Sequence, residues 1–203
     1  MYHVLLASQS PRRQSLLERS GFRVTVMPSY VDEQVDDPSL PPADQATLIA
    51  VRKATEVSRR TRGAFDFLVA ADTVVWLPDG EPLNKPVDTA DATRMLRMLA
   101  GRDHFVTTGV AIVAAGEHLP RATFHETTRV TMSPLDPGAI AAYIATGEPM
   151  DKAGSYGIQG LAGAFVRGID GSWDNVVGLP VERVVHHARA TGLIDRMPWE
   201  LGT

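Results

Sequence analysis

Hydrophobic and polar positions along the chain fall into two alternating rhythms, short apolar runs of strand length and longer stretches of helical spacing. Tyr2 to Ala7 reads as a buried strand, Pro11 to about Arg19 as a helix stopped by Ser20-Gly21, and Phe22 to Met27 as a second strand. Between Tyr30 and Asp44 the pattern lapses, and Asp32, Glu33, Asp36 and Asp37 with Pro38, Pro41 and Pro42 predict a loop. A helix then runs to about Arg60, with Leu48, Ala50, Val51, Ala54 and Val57 giving it an apolar side. Phe67 to Leu77 reads as a central strand, Pro78-Asp79-Gly80 as a turn, and Thr89 to Ala100 as a helix stopped by Gly101. Two long strands, His104 to Ala115 and Ala122 to Met132, are joined by a turn near Gly116, and a short helix from Pro137 to Thr146 ends at Gly147. The glycine-dense "DKAGSYGIQGLAGAF" leads into a strand, and after "IDGSWDNVVGLP" a last helix begins with Pro180 at its first position. Alternating helices and strands predict an α/β fold, and the pair of long neighbouring strands predicts a mixed sheet.

Composition narrows what such a fold does. The 203 residues are 44% hydrophobic and 22% charged, enough for a real core, and one domain is expected because no linker, repeat or low-complexity tract divides the chain. A formal net charge of −4 leaves no electrostatic footprint for a nucleic-acid polymer or an anionic membrane, so an anionic ligand has to be met by a local positive cluster. The lack of cysteine removes disulfides, thiolate nucleophiles and Cys-ligated zinc together, and suits a reducing cytosol. Met1 leads straight into a strand-like run, so no signal peptide is expected; Phe67 to Leu77, the longest apolar run, is broken by Asp72 and too short to span a bilayer.

Three features carry candidate chemistry. Ser10 suits a helix N-cap and Pro11 a first helical residue, just after a strand end, where α/β proteins commonly hold phosphates on free N–H groups. Arg12 and Arg13 oppose the helix dipole there by roughly 0.3–1 kcal/mol each. Their placement makes sense if a polyanion is held jointly by N–H groups, serine hydroxyls and a guanidinium fork. The alternative is a solvated pair, and because adjacent helical residues diverge by about 100°, at least one can be so. Asp72 interrupts "FLVAADTVVW", where a lone carboxylate is expensive unless paired, hydrogen-bonded or metal-bound. It is either a structural carboxylate at a strand end or a site residue; together with Glu33 from the acidic loop it makes a hard oxygen site suited to Mg²⁺ or Mn²⁺. Finally, only Lys53, Lys85 and Lys152 among 20 basic residues are lysine, which marks them, chance aside, as places needing a compact ammonium.

Other patterns are negative. "GIQGLAG" is not G-x-G-x-x-G, and there is no P-loop, H-E-x-x-H or G-x-S-x-G; His186 and His187 read as a solvated helix face.

In order, "LASQSPRR", "VDE", "RKA", "AADTVV", "NKP", "DKAGSYGIQG" and "NVVGLP" resemble the Maf family of nucleoside triphosphate pyrophosphatases, from Leu5 to Pro180. The resemblance implies a mixed, twisted sheet flanked by helices, with two lobes and a central cleft, similar to the inosine triphosphate pyrophosphatases. It also implies a cytoplasmic enzyme that needs a divalent cation, and a homodimer is expected on this ground alone. "ADT" and "GIQG" look like the branch that cleaves dTTP and UTP; the branch acting on 7-methyl-GTP has a different residue after the Asp and an acidic one in place of Gln159. Carried over, Asp72 falls on the catalytic proton acceptor, and Arg12, Thr73 and Gln159 fall on substrate-specificity positions. Ser8, Ser10, Arg13, Glu33, Lys53, Lys85 and Lys152 fall around the triphosphate and the metal, with Glu33 and Asp72 as the metal's carboxylates. Arg52 departs from relatives that carry an acidic residue there. Two rival readings stand beside this one: a nucleotide-binding regulator of septum formation with little turnover, and a hydrolase of modified pyrimidine nucleotides.

Overall fold

The opening rhythm folds as β1 (His3–Leu6), α1 (Pro11–Arg19) and β2 (Arg23–Val26), with β2 returning parallel to β1. The computed structural model describes residues 1–35, 37 and 39–201, so Asp36 and Pro38 of the acidic, proline-rich segment lie outside the described residues. The chain continues through α2 (Pro42–Arg60), β3 (Phe67–Trp76), β4 (Pro82–Leu83), α3 (Thr89–Leu99), β5 (Asp103–Ala114), β6 (Ala122–Met132) and α4 (Pro137–Ala145). The glycine-dense stretch folds as successive 3-10 turns before β7 (Val166–Asp170), α5 (Trp173–Val177) and α6 (Val181–Ala190). The strands form a single seven-stranded sheet in the order β2-β1-β3-β5-β6-β7, with β4 paired to β3. β1 is parallel to both its neighbours, and the remaining pairs are antiparallel, so the sheet is mixed, as expected.

Local chemistry accounts for the helix starts. Side-chain oxygens of Ser10, Asp88, Asp136 and Ser172 accept from the backbone N–H three residues on, capping α1, α3, α4 and α5. Gly101 and Gly147 follow α3 and α4 with φ of +70° and +77°, the left-handed conformation that ends a helix without a Cβ penalty.

The differences from the sequence pattern are local. β4 and α5 lie in stretches to which the pattern assigns no element, because two residues and five residues are too short to display a period. α2 begins at Pro42, inside the expected loop, since the first helical turn tolerates a missing N–H. Pro180 is the N-cap of α6, one residue ahead of its expected place. On α6, His186 is exposed as expected, but the half-buried His187 stacks on Phe124 with centroids 4.2 Å apart.

Two apolar layers sandwich the sheet. On one face Leu5, Ala7, Leu68, Ala70, Ala111 and Val113 pack against Ala50, Ala54 and Val57 of α2. On the other, Val4, Leu6, Phe67, Val69 and Ala71 meet side chains of α1, α3 and α6. The approach of α2 is close: a Cβ on Gly109 of β5 would lie 2.3 Å from the Thr47 nitrogen and 2.4 Å from the Ala46 carbonyl carbon. The buried side of α2 is Ala46, Ile49, Ala50, Lys53, Ala54 and Val57, while Leu48 and Val51 are only half-buried. The expected apolar side was therefore rotated, because a lysine occupies its centre. No described helix is long and apolar enough to cross a membrane.

Candidate functional site

β1 is four residues long and β3 ten, and their mismatch makes a notch in the sheet. β1 pairs with β3 only as far as Leu6 and Val69, while β4 joins the same edge at Val75 and Trp76. Asp72 and Thr73 lie between, backed by Gly109 and Thr108 of β5. Strand alternation sends Asp72 to the α2 face, in phase with Leu68 and Ala70, and Thr73 to the opposite one. The turn from β1 to α1 covers the Thr73 side. Arg13 donates from Nε to Gly178 O at 2.7 Å, from Nη1 to Ser8 Oγ at 3.1 Å and from Nη2 to Thr73 Oγ1 at 2.9 Å. Ser8 Oγ also accepts from Ser10 N–H at 3.1 Å. Burial lowers the Arg13 pKa and the Asp72 carboxylate opposes that fall, so the two charges share one environment.

On the α2 face Lys53, 7% exposed, places Nζ 2.7 Å from Asp72 Oδ1 and 2.7 Å from Glu33 Oε1. Burial raises the Glu33 carboxyl, but the Lys53 hydrogen bond with the charges of Lys53, Lys85 and Arg13 outweighs it and holds the group below its ordinary value. Lys85 is exposed in the β4–α3 loop and within electrostatic reach of Glu33. Arg52 Nη1 donates to Gln34 O at 2.7 Å, so the residue that departs from the family pattern ties the Glu33 segment to α2. Each carboxylate has one oxygen on Lys53, and among the described residues neither Glu33 Oε2 nor Asp72 Oδ2 accepts a hydrogen bond. Two free carboxylate oxygens fit Mg²⁺ or Mn²⁺, which commonly take one or two carboxylates and complete their shell with substrate phosphates and water. No group of three or more His, Asp or Glu that could hold a metal gathers among the described residues.

The third wall is the glycine-dense stretch. Arg12 Nη1 lies 3.6 Å from Asp151 Oδ2, and Lys152 Nζ binds Asp151 Oδ1 at 2.6 Å and Glu148 O at 2.7 Å. Gly154 N–H donates to Asn84 O at 3.2 Å, bringing this stretch beside Lys85. Gln159 is exposed on a turn closed by Gly160 N–H on Gly157 O at 2.9 Å. The pattern of the sequence did not single out Glu148, which organises this turn. Its carboxylate accepts from Tyr143 OH at 2.9 Å and Leu161 N–H at 3.0 Å, and a Cβ on Gly160 would sit 2.3 Å from Oε1. No local signal marks it, because in "GEPMDKAG" it is one acid among the charged residues of a loop. Cavities of 330 Å³ beside Arg94, Arg97 and Arg102 and of 450 Å³ beside Leu77 and Asp103 share no residue with the notch.

Sequence comparison places this geometry among known proteins. The chain matches the family described as Maf-like protein over residues 3–191. It is 48% identical over 185 residues to a dTTP/UTP pyrophosphatase of Moorella thermoacetica, covering 91% of this chain and 92% of that one. A protein of the same name from Pelotomaculum thermopropionicum is 43% identical over 192 residues, covering 95% and 98%. Among solved structures, a HAM1 protein from Coxiella burnetii is similar at 13% identity and a TM-score of 0.48, covering 72% of this chain and 98% of that one.

Proposed function

Because the chain belongs to the Maf family, we propose that it is a nucleoside triphosphate pyrophosphatase that hydrolyses dTTP and UTP to the monophosphate and pyrophosphate. The observation that carries the reading is the Asp72–Lys53–Glu33 cluster, which sets two carboxylates within electrostatic reach of the held guanidinium of Arg13. The names of relatives at 41–48% identity support the same substrates.

In this reading Asp72 orients a water against the α-phosphorus and takes its proton. Glu33 and Asp72 would hold a divalent cation, which would offset phosphate charge and polarise the oxygens it contacts. Lys53 keeps the two acids at a fixed spacing before substrate arrives. Ser8 and Ser10 fix the turn on which Arg13 sits. Arg13, Lys85 and Lys53 meet the negative charge that builds on the departing pyrophosphate, and preorganised charges do so without rearranging during the reaction. Arg12 and Lys152, both bound to Asp151, present further positive charge at the opposite wall. Gln159 carries an amide donor and an amide acceptor, which match the O4 and N3–H edge shared by uracil and thymine; a carboxylate offers acceptors only. A mismatched polar edge left unpaired is costly, which lets one side chain sort substrates.

The test is pyrophosphate release with Mg²⁺ or Mn²⁺ across a panel of canonical and modified triphosphates, for the wild type and Gln159→Glu. Turnover of dTTP and UTP above the purine nucleotides, reduced at least tenfold for both in Gln159→Glu, is expected. A wild type that binds these nucleotides but releases no pyrophosphate overturns the reading in favour of a binding protein.

A further inference from the structure

A row of polar side chains runs from the notch into a part of the sheet that is otherwise apolar. Arg13 Nη2 meets Thr73 Oγ1 at 2.9 Å, Thr73 Oγ1 lies 2.9 Å from Thr108 Oγ1, and Thr108 Oγ1 donates to Asn175 O at 3.1 Å. Thr108 and Asn175 are both 0% exposed. Chemistry fixes every proton in this row. A carbonyl oxygen only accepts, so the single Thr108 hydroxyl proton goes to Asn175 O. Thr108 Oγ1 is then the acceptor for the Thr73 hydroxyl. Thr73 Oγ1 in turn accepts from Arg13, whose guanidinium has five donors and no acceptor. All the bonds point inward, and Thr73 has no proton left to offer a nucleobase.

The inner end of the row is anchored. Asn175 Oδ1 accepts from Thr108 N–H at 3.1 Å, and Nδ2 donates to Val106 O and Thr128 Oγ1, each at 2.9 Å. Thr128 Oγ1 in turn donates to Ser172 O and accepts from Ser172 N–H. The same short α5 supplies a second hold on the arginine, because Gly178, just past its end with φ of +127°, gives its carbonyl to Arg13 Nε. The "NVVGLP" segment is thus the seat of the Arg13 side chain, a use the spacing alone did not disclose.

We propose that Thr108 and Asn175 are positioning residues: acting through Thr73, they lock the Arg13 guanidinium so that its two remaining N–H groups, one on each terminal nitrogen, face phosphate oxygens. Thr73 is the link through which they act. The inference rests on reading the chain as a triphosphate pyrophosphatase. Three protein bonds hold Arg13 in one rotamer, so little orientational freedom is left to lose when phosphate arrives.

The test compares Thr108→Val, close in shape but without the hydroxyl, with Thr108→Ser, which keeps it. Pyrophosphate affinity is measured by calorimetry in wild-type and Arg13→Ala backgrounds, and kcat/KM is measured for UTP and CTP. Thr108→Val is expected to weaken pyrophosphate binding and lower kcat/KM by about tenfold, with Thr108→Ser recovering most of both. The UTP to CTP ratio stays as in the wild type, and in the Arg13→Ala background Thr108→Val has no further effect on affinity. Equal losses in the two backgrounds, a changed base ratio, or a Ser variant as weak as the Val variant overturns the proposal. If thermal denaturation shows Thr108→Val unfolded, Thr73→Val against Thr73→Ser carries the same comparison. A wild type that binds pyrophosphate but does not turn over UTP strikes the proposed function alone, and the affinities still decide whether the lock exists.

Discussion

Lys53 shows how a residue becomes informative when its surroundings contradict its chemistry. It occupies the centre of the buried side of α2, where an unpaired ammonium would be strongly disfavoured, and contacts of 2.7 Å to Asp72 and Glu33 resolve the conflict. Lys53→Met is expected to reduce pyrophosphate release by 100-fold or more, on the order of what loss of one preorganised charge costs, with α2 still packed because the replacement is apolar. Lys53→Arg should not restore the rate, since a planar fork cannot take the place of a compact ammonium between two carboxylates. A Michaelis–Menten comparison of the three proteins checks both outcomes. Asp72 was legible in the sequence for the same reason, as a charge inside an apolar run. Glu148 and Thr108 were not, because an acid in a loop and a threonine in a strand break no local rule.

Among the elements, the helix starts and stops were the most legible part, since capping residues and left-handed glycines act through neighbouring backbone. The packing partner of α2 was not, because it depends on Gly109, 67 residues downstream of the helix start at Pro42. Gly109→Ala places a methyl against the α2 backbone and is expected to destabilise the protein by about 3 kcal/mol or more, read as a lowered denaturation midpoint. Because α2 carries Lys53, activity should fall further than stability alone explains. In the glycine-dense stretch Tyr156, Ile158 and Ala162 reach the core, and the Glu148 carboxylate binds Leu161 N–H and Tyr143 OH under the turn that bears Gln159. Glu148→Ala should therefore raise KM for dTTP at least tenfold while kcat changes little, and steady-state kinetics on dTTP separates the two.

In the whole molecule, the notch draws together residues from Ser8 to Gly178, and order along the chain says nothing of which sheet face each one meets. The seven motifs announced a family; only the register of β3 against β1, β4 and β5 shows Asp72 and Thr73 serving opposite faces of one gap. The assembled interior also has a pH signature. His104 is fully buried on β5, bonded at Nε2 to Tyr156 OH at 2.8 Å, and burial lowers its pKa to about 4. The unfolded chain takes up that proton below pH 6.5 and the folded chain does not until near pH 4, so the stability His104 confers is complete above 6.5 and is lost between those values. Denaturant unfolding at pH 7 and pH 5 should differ by about 2 kcal/mol from this group, and His104→Phe should flatten that slope. The central claim, that the carboxylate in the notch activates the attacking water, is tested most directly by pyrophosphate release from dTTP with Mg²⁺ by the wild type and Asp72→Asn. The account predicts turnover by the wild type and none by a folded Asp72→Asn that still binds nucleotide; comparable release by the two proteins would contradict it.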